Sequence, residues 1–318
     1  MTSSIVVVPY TDARGAEWDA FVRKVEAPFL FERAYMDYHR ERFPDASMML
    51  YSSRKLVGLL PATAQGGMLF SHAGLTYGGF VHDHASLKTT IEFFTAVSEY
   101  GERAGLSYCE YKPLPYIYGR YPAQEDLYAL FRLNATLEAR AVSATIPLAT
   151  RIAFTESRKG GVRKASRVDA RIGESDEFDV FWPMLQATLG ERHGATPVHS
   201  LQEIKLLRSR FPRRIRLFLA SAEGRPGAGC VIYCVGDVAH AQYIGSTDVG
   251  RRNGLLDALF DHVIERCAEE GNTWFDFGVS TLQGGRVLNE SLAFQKEGFG
   301  GRGVVYDTYR FSLSQRIT

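Results

Sequence analysis

Apolar positions along this chain follow two periods, and they change at corresponding places. Leu255, Leu256, Leu259, Phe260, Val263, Ile264 and Cys267 return every three or four residues, leaving Asp257, Asp261, Glu265 and Arg266 for solvent. That spacing predicts a core-facing helix, with Gly271 as its stop. A weaker stripe of Ile91, Phe94, Val97 and Ala104 predicts a second helix ending at Gly105. Upstream of each, alternating or wholly apolar runs are broken by Gly, Asp and Pro, the signature of strands and tight turns. The expected turns are Ser52–Lys55 and Gln65–Gly67 before the weaker helix, and Glu223–Pro226 and Gly236–Asp237 before the stronger one. Short strand-like runs, LSYCEY and NTWFDF, follow the two helices.

The two halves share one register. Tyr77 matches Tyr243, Gly79 matches Gly245, Gly105 matches Gly271, Glu110 matches Asp276 and Tyr111 matches Phe277, all at one offset (243 − 77 = 166, 276 − 110 = 166). A gapless match over this length argues for duplication of one unit. The expected units are residues 1–150 and 151–318, with the boundary near 145–160 where the strand SATIPLA ends. Between them, a helix from about Val162 would align Arg163, Arg167 and Arg171 on one face, beside Lys164. Residues 177–191 read as another helix, and 199–210 as another opened by a Ser200/Glu203 capping box.

Composition narrows the function. The 318 residues carry 37 basic and 36 acidic side chains, a net charge of +1, so no whole-molecule field draws the chain onto DNA or an anionic membrane. Cys109, Cys230, Cys234 and Cys267 form no CxxC pair and read as buried free thiols in a reducing compartment. MTSSIVVVPY has no basic leader region and reads as a first strand, and no run of 18 apolar residues exists. A cytoplasmic location is expected. No HExxH, Rossmann fingerprint, Walker loop, GxSxG or Cys–His pattern occurs, so neither a metal nor a covalent nucleophile is expected.

The segment GSTDVGRRNGLLDALFDHVIERCAEEGNTWFDFG resembles the central motif of the GNAT acyltransferase superfamily, and LNESLAFQKEGFGGRGVVYDTYRF resembles the end of its tandem, FemAB-like branch through Phe294, Lys296, Phe299 and Gly300. The resemblance implies an α/β fold of two tandem GNAT-like units, each a mixed, mostly antiparallel sheet flanked by helices. It implies an N-acyltransferase with a degenerate donor site in the first unit, whose turn VHDHASLKTT lacks Gly and Arg, and a donor site in the second. There Gly245, Ser246, Arg251, Arg252, Asn253, Gly254 and Leu255 would surround a coenzyme A pyrophosphate at a helix N-terminus. Arg251 and Gly254 fit the superfamily pattern, whereas Leu256 stands where a small residue is usual.

Direct transfer to an amine needs a neutral nucleophile, donors for the oxyanion and a proton for the leaving group. Asp276, flanked by Phe275 and Phe277 on the opposite face, is a candidate base; Lys296 is a candidate for stabilising negative charge; Tyr306 is a candidate acid. Candidate acceptor contacts are His72 and Tyr77 in SHAGLTYGG, Glu110 as the repeat mate of Asp276, Arg163 on the basic helix, and Arg192, His193 and His199. Each also has an ordinary structural reading, as a core, capping or solvated residue. The expected donor is an acyl-CoA, acetyl-CoA among them, and the expected acceptor an amine on a small or sugar-linked molecule. An aminoacyl-tRNA donor is the alternative, favoured by Leu256 and the basic helix; tRNA would then be a partner. A non-catalytic binding module of the same fold is a third reading, in which Asp276 and Lys296 do not face a common cleft.

Overall fold

In the computed structural model, residues 5–193 and 195–317 are described, except the side chains of residues 191–193. The chain forms two compact units, Met1–Ala141 with Leu282–Val287 and Val305–Thr318, and Val142–Thr281 with Leu288–Val304. The residues from Val305 onward, expected from sequence in the second unit, therefore group with the first.

The first unit contains, in chain order, β1 (Ile5–Pro9), α1 (Gly15–Lys24), α2 (Arg33–Met36), β2 (Met48–Ser52), β3 (Lys55–Leu60), β4 (Thr63–Gln65), β5 (Met68–Phe70), β6 (Val81–His82), α3 (Leu87–Arg103), β7 (Tyr108–Tyr111) and α4 (Glu125–Arg132). One antiparallel sheet orders β1-β2-β3-β6. A second group pairs β4 with β5 antiparallel and β5 with β7 in parallel. Both hairpin turns fall where Ser52–Lys55 and Gln65–Gly67 placed them. Phe93, Phe94 and Val97 of α3 fill the core with Leu50, Leu69 and Tyr111.

The chain passes into the second unit within β8 (Thr136–Pro147) and continues through α5 (Glu156–Arg167), β9 (Arg171–Ser175), α6 (Phe178–His193), α7 (Leu201–Arg210), β10 (Ile215–Ala222), β11 (Arg225–Val235), β12 (Val238–Ser246), α8 (Asp248–Arg252), α9 (Leu255–Glu269) and β13 (Trp274–Val279). After β14 (Thr281–Leu282) and β15 (Val287–Leu288) come α10 (Glu290–Gly298) and β16 (Arg302–Ser312). Strands β9 to β12 form an antiparallel meander, β12 pairs β13 in parallel, and β13 pairs β8 antiparallel. Most of these pairings are antiparallel, with β5–β7 and β12–β13 parallel, and helices flank the strands, the expected α/β class; the first unit, however, divides its strands between two sheets instead of one.

Sequence periodicity explains α9. Its apolar stripe is buried to the last residue, and Phe260 lies among Phe275, Phe277 and Phe299. The opposite face of the sheet is pressed by α6. Gly229 and Gly245 are register partners on β11 and β12, and a Cβ on either would crowd Phe181 or the Leu185 backbone. The capping box at Ser200 is present in both directions, with the Glu203 amide donating to Ser200 Oγ at 3.2 Å and the Ser200 amide to Glu203 Oε2 at 2.7 Å. The basic helix differs from expectation. It begins at Glu156, and Arg171 opens β9 instead of extending the Arg163–Arg167 face. Cys109, Cys230 and Cys267 are buried free thiols, raised by burial, and Cys234 is partly buried. Among the described residues no helix is long and apolar enough to cross a membrane.

The repeat is exact at its C-terminal end. α3 and α9 end at Arg103 and Glu269, and β7 and β13 start at Tyr108 and Trp274, each pair 166 apart (269 − 103, 274 − 108). Gly105 and Gly271 adopt φ of +76° and +90° after the last turn, as left-handed helix stops do. The entries to the helices differ. Tyr243–Gly245 lies in β12, whereas Tyr77–Gly79 lies outside the strands with Gly79 at φ +84°, and α8 has no helical counterpart at 82–86.

Candidate active site

β12 and β13 pair only over Val238–His240 and Trp274–Asp276. Past that point β13 shifts register against β8 between Asp276 and Val279, with Gly278 at φ +75°. Where the pairing ends, a cavity of ≈ 70 Å³ opens. Gly245 and Ser246 of β12, Phe277 of β13, Leu256 of α9, Thr188 of α6 and Lys296 of α10 line it.

Lys296 is the charged group of this cavity. It is 4% exposed, and Nζ donates to the carbonyl oxygens of Gly278 and Val279, each at 2.7 Å. Those carbonyls are exposed to it because the bulge takes them out of the ladder. An ammonium has three N–H donors; two are held here and the third is left for the cavity. Burial lowers the Lys296 pKa to about 8, with Asp276 opposing the shift, so the ammonium predominates at pH 7.

Asp276 is fully buried and does not line the cavity. Its Oδ1 accepts from Ser143 Oγ and from the Gly278 amide at 3.1 Å, while Oδ2 lies 2.8 Å from His240 Nδ1. The carboxylate therefore ties β8, β12 and the bulge together and places a negative charge behind Lys296. Phe275 and Phe277 point to the other face, into the core, as alternation along a strand requires.

The turn expected to cradle a pyrophosphate is closed by the protein itself. The Asn253 amide donates to the Val249 carbonyl and the Gly254 amide to Arg251, so α8 engages both. Gly254 sits at φ +71°, and a Cβ there would overlap the Gly161 carbonyl oxygen of α5. A Cβ on Gly161 would in turn overlap the Asp257 carboxylate, which Arg158 binds at 2.6 Å. Arg251 is folded back onto the Ser246 carbonyl at 2.6 Å and onto Asp248. Leu255 is 1% exposed. Gly245 serves strand–helix packing, and the Ser246 amide takes a hydrogen bond to Thr188 Oγ1 at 3.1 Å. Two amides of the turn are thus engaged within the protein and Gly254 is pressed against α5, while the first-turn amides of α9 begin only at Leu255. Of the expected set, Gly245 and Ser246 line the small cavity, Arg252 is exposed, and Asn253 caps α8. A wider opening of ≈ 320 Å³, lined by Arg158, Arg251, Leu256, Ser291, Phe294 and Gln295, shares Leu256 and Gln295 with the cavity. Phe294 is 70% exposed there.

The remaining candidates are dispersed. Tyr306 belongs to the first unit, where its hydroxyl donates to Tyr118 Oη at 3.1 Å and its ring meets Tyr77. Tyr77 also packs on Phe31 and Tyr118. His72 is buried at φ +67° against His39 and Phe43, and burial, reinforced by His39, lowers its pKa to about 3, so it stays neutral. Glu110 lies 3.9 Å from Arg310 and does not reproduce the buried network of Asp276. His199 is buried against the Tyr243 hydroxyl. Arg163 is exposed, 3.8 Å from Glu156. Arg192 and His193 lie outside the described side chains. Among the described residues no group of three His, Cys, Asp or Glu is placed to hold a metal ion.

Sequence reasoning missed Ser143, His240, Thr188 and Gln295. Only His240 carried a signal, as a histidine inside an otherwise apolar strand, VAHAQYIGS.

Residues 155–284 match the family model described as an acetyltransferase (GNAT) domain. No curated protein matches the chain. Three solved structures share the fold at low identity. The structure titled FemX aligns at TM-score 0.69 and 13% identity, covering 96% of this chain and 97% of its own. The C-terminal domain of a lysylphosphatidylglycerol synthetase from Agrobacterium fabrum aligns at 0.62 and 12%, covering 94% and 92%. L-PGS from Bacillus licheniformis aligns at 0.58 and 14%, covering 92% and 90%. The chain thus carries, within residues 155–284, a match to the acetyltransferase (GNAT) domain, on a fold that it shares along nearly its whole length with FemX.

Proposed function

We propose that the second unit transfers a short acyl or aminoacyl group from an activated ester or thioester to an amine, by direct attack in a ternary complex. The observation that carries this reading is Lys296, held by two carbonyls with one N–H left for the cavity. The amine lone pair attacks the donor carbonyl carbon, the carbonyl oxygen becomes an oxyanion, and the Lys296 ammonium donates to it. Collapse expels the carrier oxygen or sulfur, which takes up the proton released by the nucleophile. Preorganised donors of this kind contribute roughly 2.7–4 kcal/mol to lowering such a barrier. Asp276 acts as a positioning residue, holding the bulge that holds Lys296. A cavity of ≈ 70 Å³ suits a small transferred group.

The closed Gly254 turn favours an aminoacyl-tRNA as donor over a coenzyme A thioester, the carrier approaching through the opening at Arg158, Arg251 and Phe294. The acyl-CoA reading requires those two arginines to leave Asp257 and Asp248 for the phosphates. The acceptor is an amine on a small or sugar-linked molecule. Calorimetric titration with acetyl-CoA and free CoA, beside tRNA gel shifts at two salt concentrations, separates the donors. A salt-sensitive shift without CoA heat supports the first, and CoA heat without a shift supports the second. Silence in both leaves only a binding module.

A further inference from the structure

We propose that the first unit holds a ligand site of its own, a cavity of ≈ 350 Å³ beside the start of α4, and that its ligand is a small primary alkylammonium ion. The volume is in the range of built small-molecule sites. Phe31, Phe80, Tyr118 and Tyr121 supply aromatic walls, and Tyr111, Glu125 and Asp126 supply the polar groups.

Charge decides what fits. Four carboxylates line the cavity: Glu26, Asp83, Glu125 and Asp126. The two cations of its rim are already engaged, Lys24 with Asp83 at 2.6 Å and Arg120 with Glu26. His84 is exposed and 3.6 Å from Asp83. His82 accepts the Ala85 amide on Nδ1 at 3.2 Å, and burial holds its pKa below the usual value, so it brings no charge at neutral pH. Among the described residues, Glu125 and Asp126 face no cation within ion-pair distance. The partners of Asp126 are neutral donors, the Tyr111 hydroxyl at 3.2 Å and the Leu127 amide at 2.8 Å. Tyr111 itself is fixed by the Phe80 amide, which donates to its oxygen at 3.0 Å.

A carboxylate partly withdrawn from water without a counterion is unfavourable, and desolvation raises the Asp126 pKa to about 6. An ammonium beside it would restore the missing charge, and aromatic faces add cation–π attraction. A phosphate or carboxylate ligand would meet repulsion from Glu125 and Asp126. This inference concerns binding in the first unit and is independent of the transfer reading, so a Lys296→Met protein, impaired in transfer, should bind the ammonium unchanged.

The test is ligand-observed NMR titration of the full chain with n-butylammonium, 1-butanol and butyrate. The expected result is saturable binding of butylammonium at pH 7.5, at least tenfold tighter than butanol, with no binding of butyrate. Affinity should fall as pH drops below about 6, approaching about tenfold per pH unit as one carboxylate takes a proton. Asp126→Asn should weaken binding at least tenfold and flatten that profile. If that variant does not fold, Glu125→Gln and the wild-type pH profile decide the matter. Equal binding of butanol and butylammonium, binding of butyrate, an unaltered Asp126→Asn, or no binding of butylammonium would overturn the proposal.

Discussion

Lys296, buried, and Asp126, half-buried, are two ionisable groups whose pKa values move in ways that stability measurements can read. For Lys296 the folded value, about 8, lies below the ordinary 10.5, so between those values the unfolded chain binds more protons. Stability therefore rises as pH increases across that window, by at most about 3 kcal/mol. Urea unfolding at pH 8 and pH 10 should show this gain in the native chain and lose it in Lys296→Met. The same variant should lower kcat by about 100-fold or more with little change in KM, since the third N–H acts on the oxyanion. Lys296→Arg should not restore the rate, because a planar guanidinium does not reproduce the ammonium fork between two carbonyls. Asp126 has the opposite sign. Its folded pKa of about 6 exceeds the ordinary carboxylate value, so stability falls as pH rises through that interval. Asp126→Asn should raise the melting temperature at pH 7 and not at pH 4, checked by thermal melts at both.

At the scale of elements, the packing of α5 on α9 is the feature most open to attack. Gly254 combines a left-handed φ of +71° with contact against the Gly161 carbonyl, so Gly254→Ala meets both strain and overlap. It should destabilise the second unit by at least about 2 kcal/mol, measured by thermal unfolding. Had the turn been an open phosphate cradle, the same change would have acted mainly on donor affinity. The capping box of α7 offers a milder control: Ser200→Ala should cost about 1 kcal/mol. The hairpins, the α9 stripe and the helix stops at Gly105 and Gly271 were legible because each depends on a local period or a single backbone conformation. The start of α5 was not. ESRKGG carries two glycines and no apolar period, and its helix exists because Gly161 lets it lie against α9.

For the whole molecule, a net charge of +1 means that a polyanionic donor would be held by few local contacts. With Arg158 and Arg251 as the two phosphate contacts, log K for tRNA should fall against log salt with a slope near about −1.4, read from gel shifts across a salt series. A much steeper slope would require a basic surface elsewhere. Resemblance alone drew attention to the block around Lys296, whereas the twofold sequence register by itself argued for two related α/β units and for where their main helices end. Those features follow from side-chain periodicity and from glycines in left-handed turns, which neighbours in sequence encode. Only the tertiary structure decided that Lys296 is anchored by the β13 bulge, that Asp276 is held by Ser143 and His240, and that the Gly254 turn is closed by Gly161. Each of those contacts joins residues 17 to 133 positions apart, and no local rule brings such partners together before the core has packed.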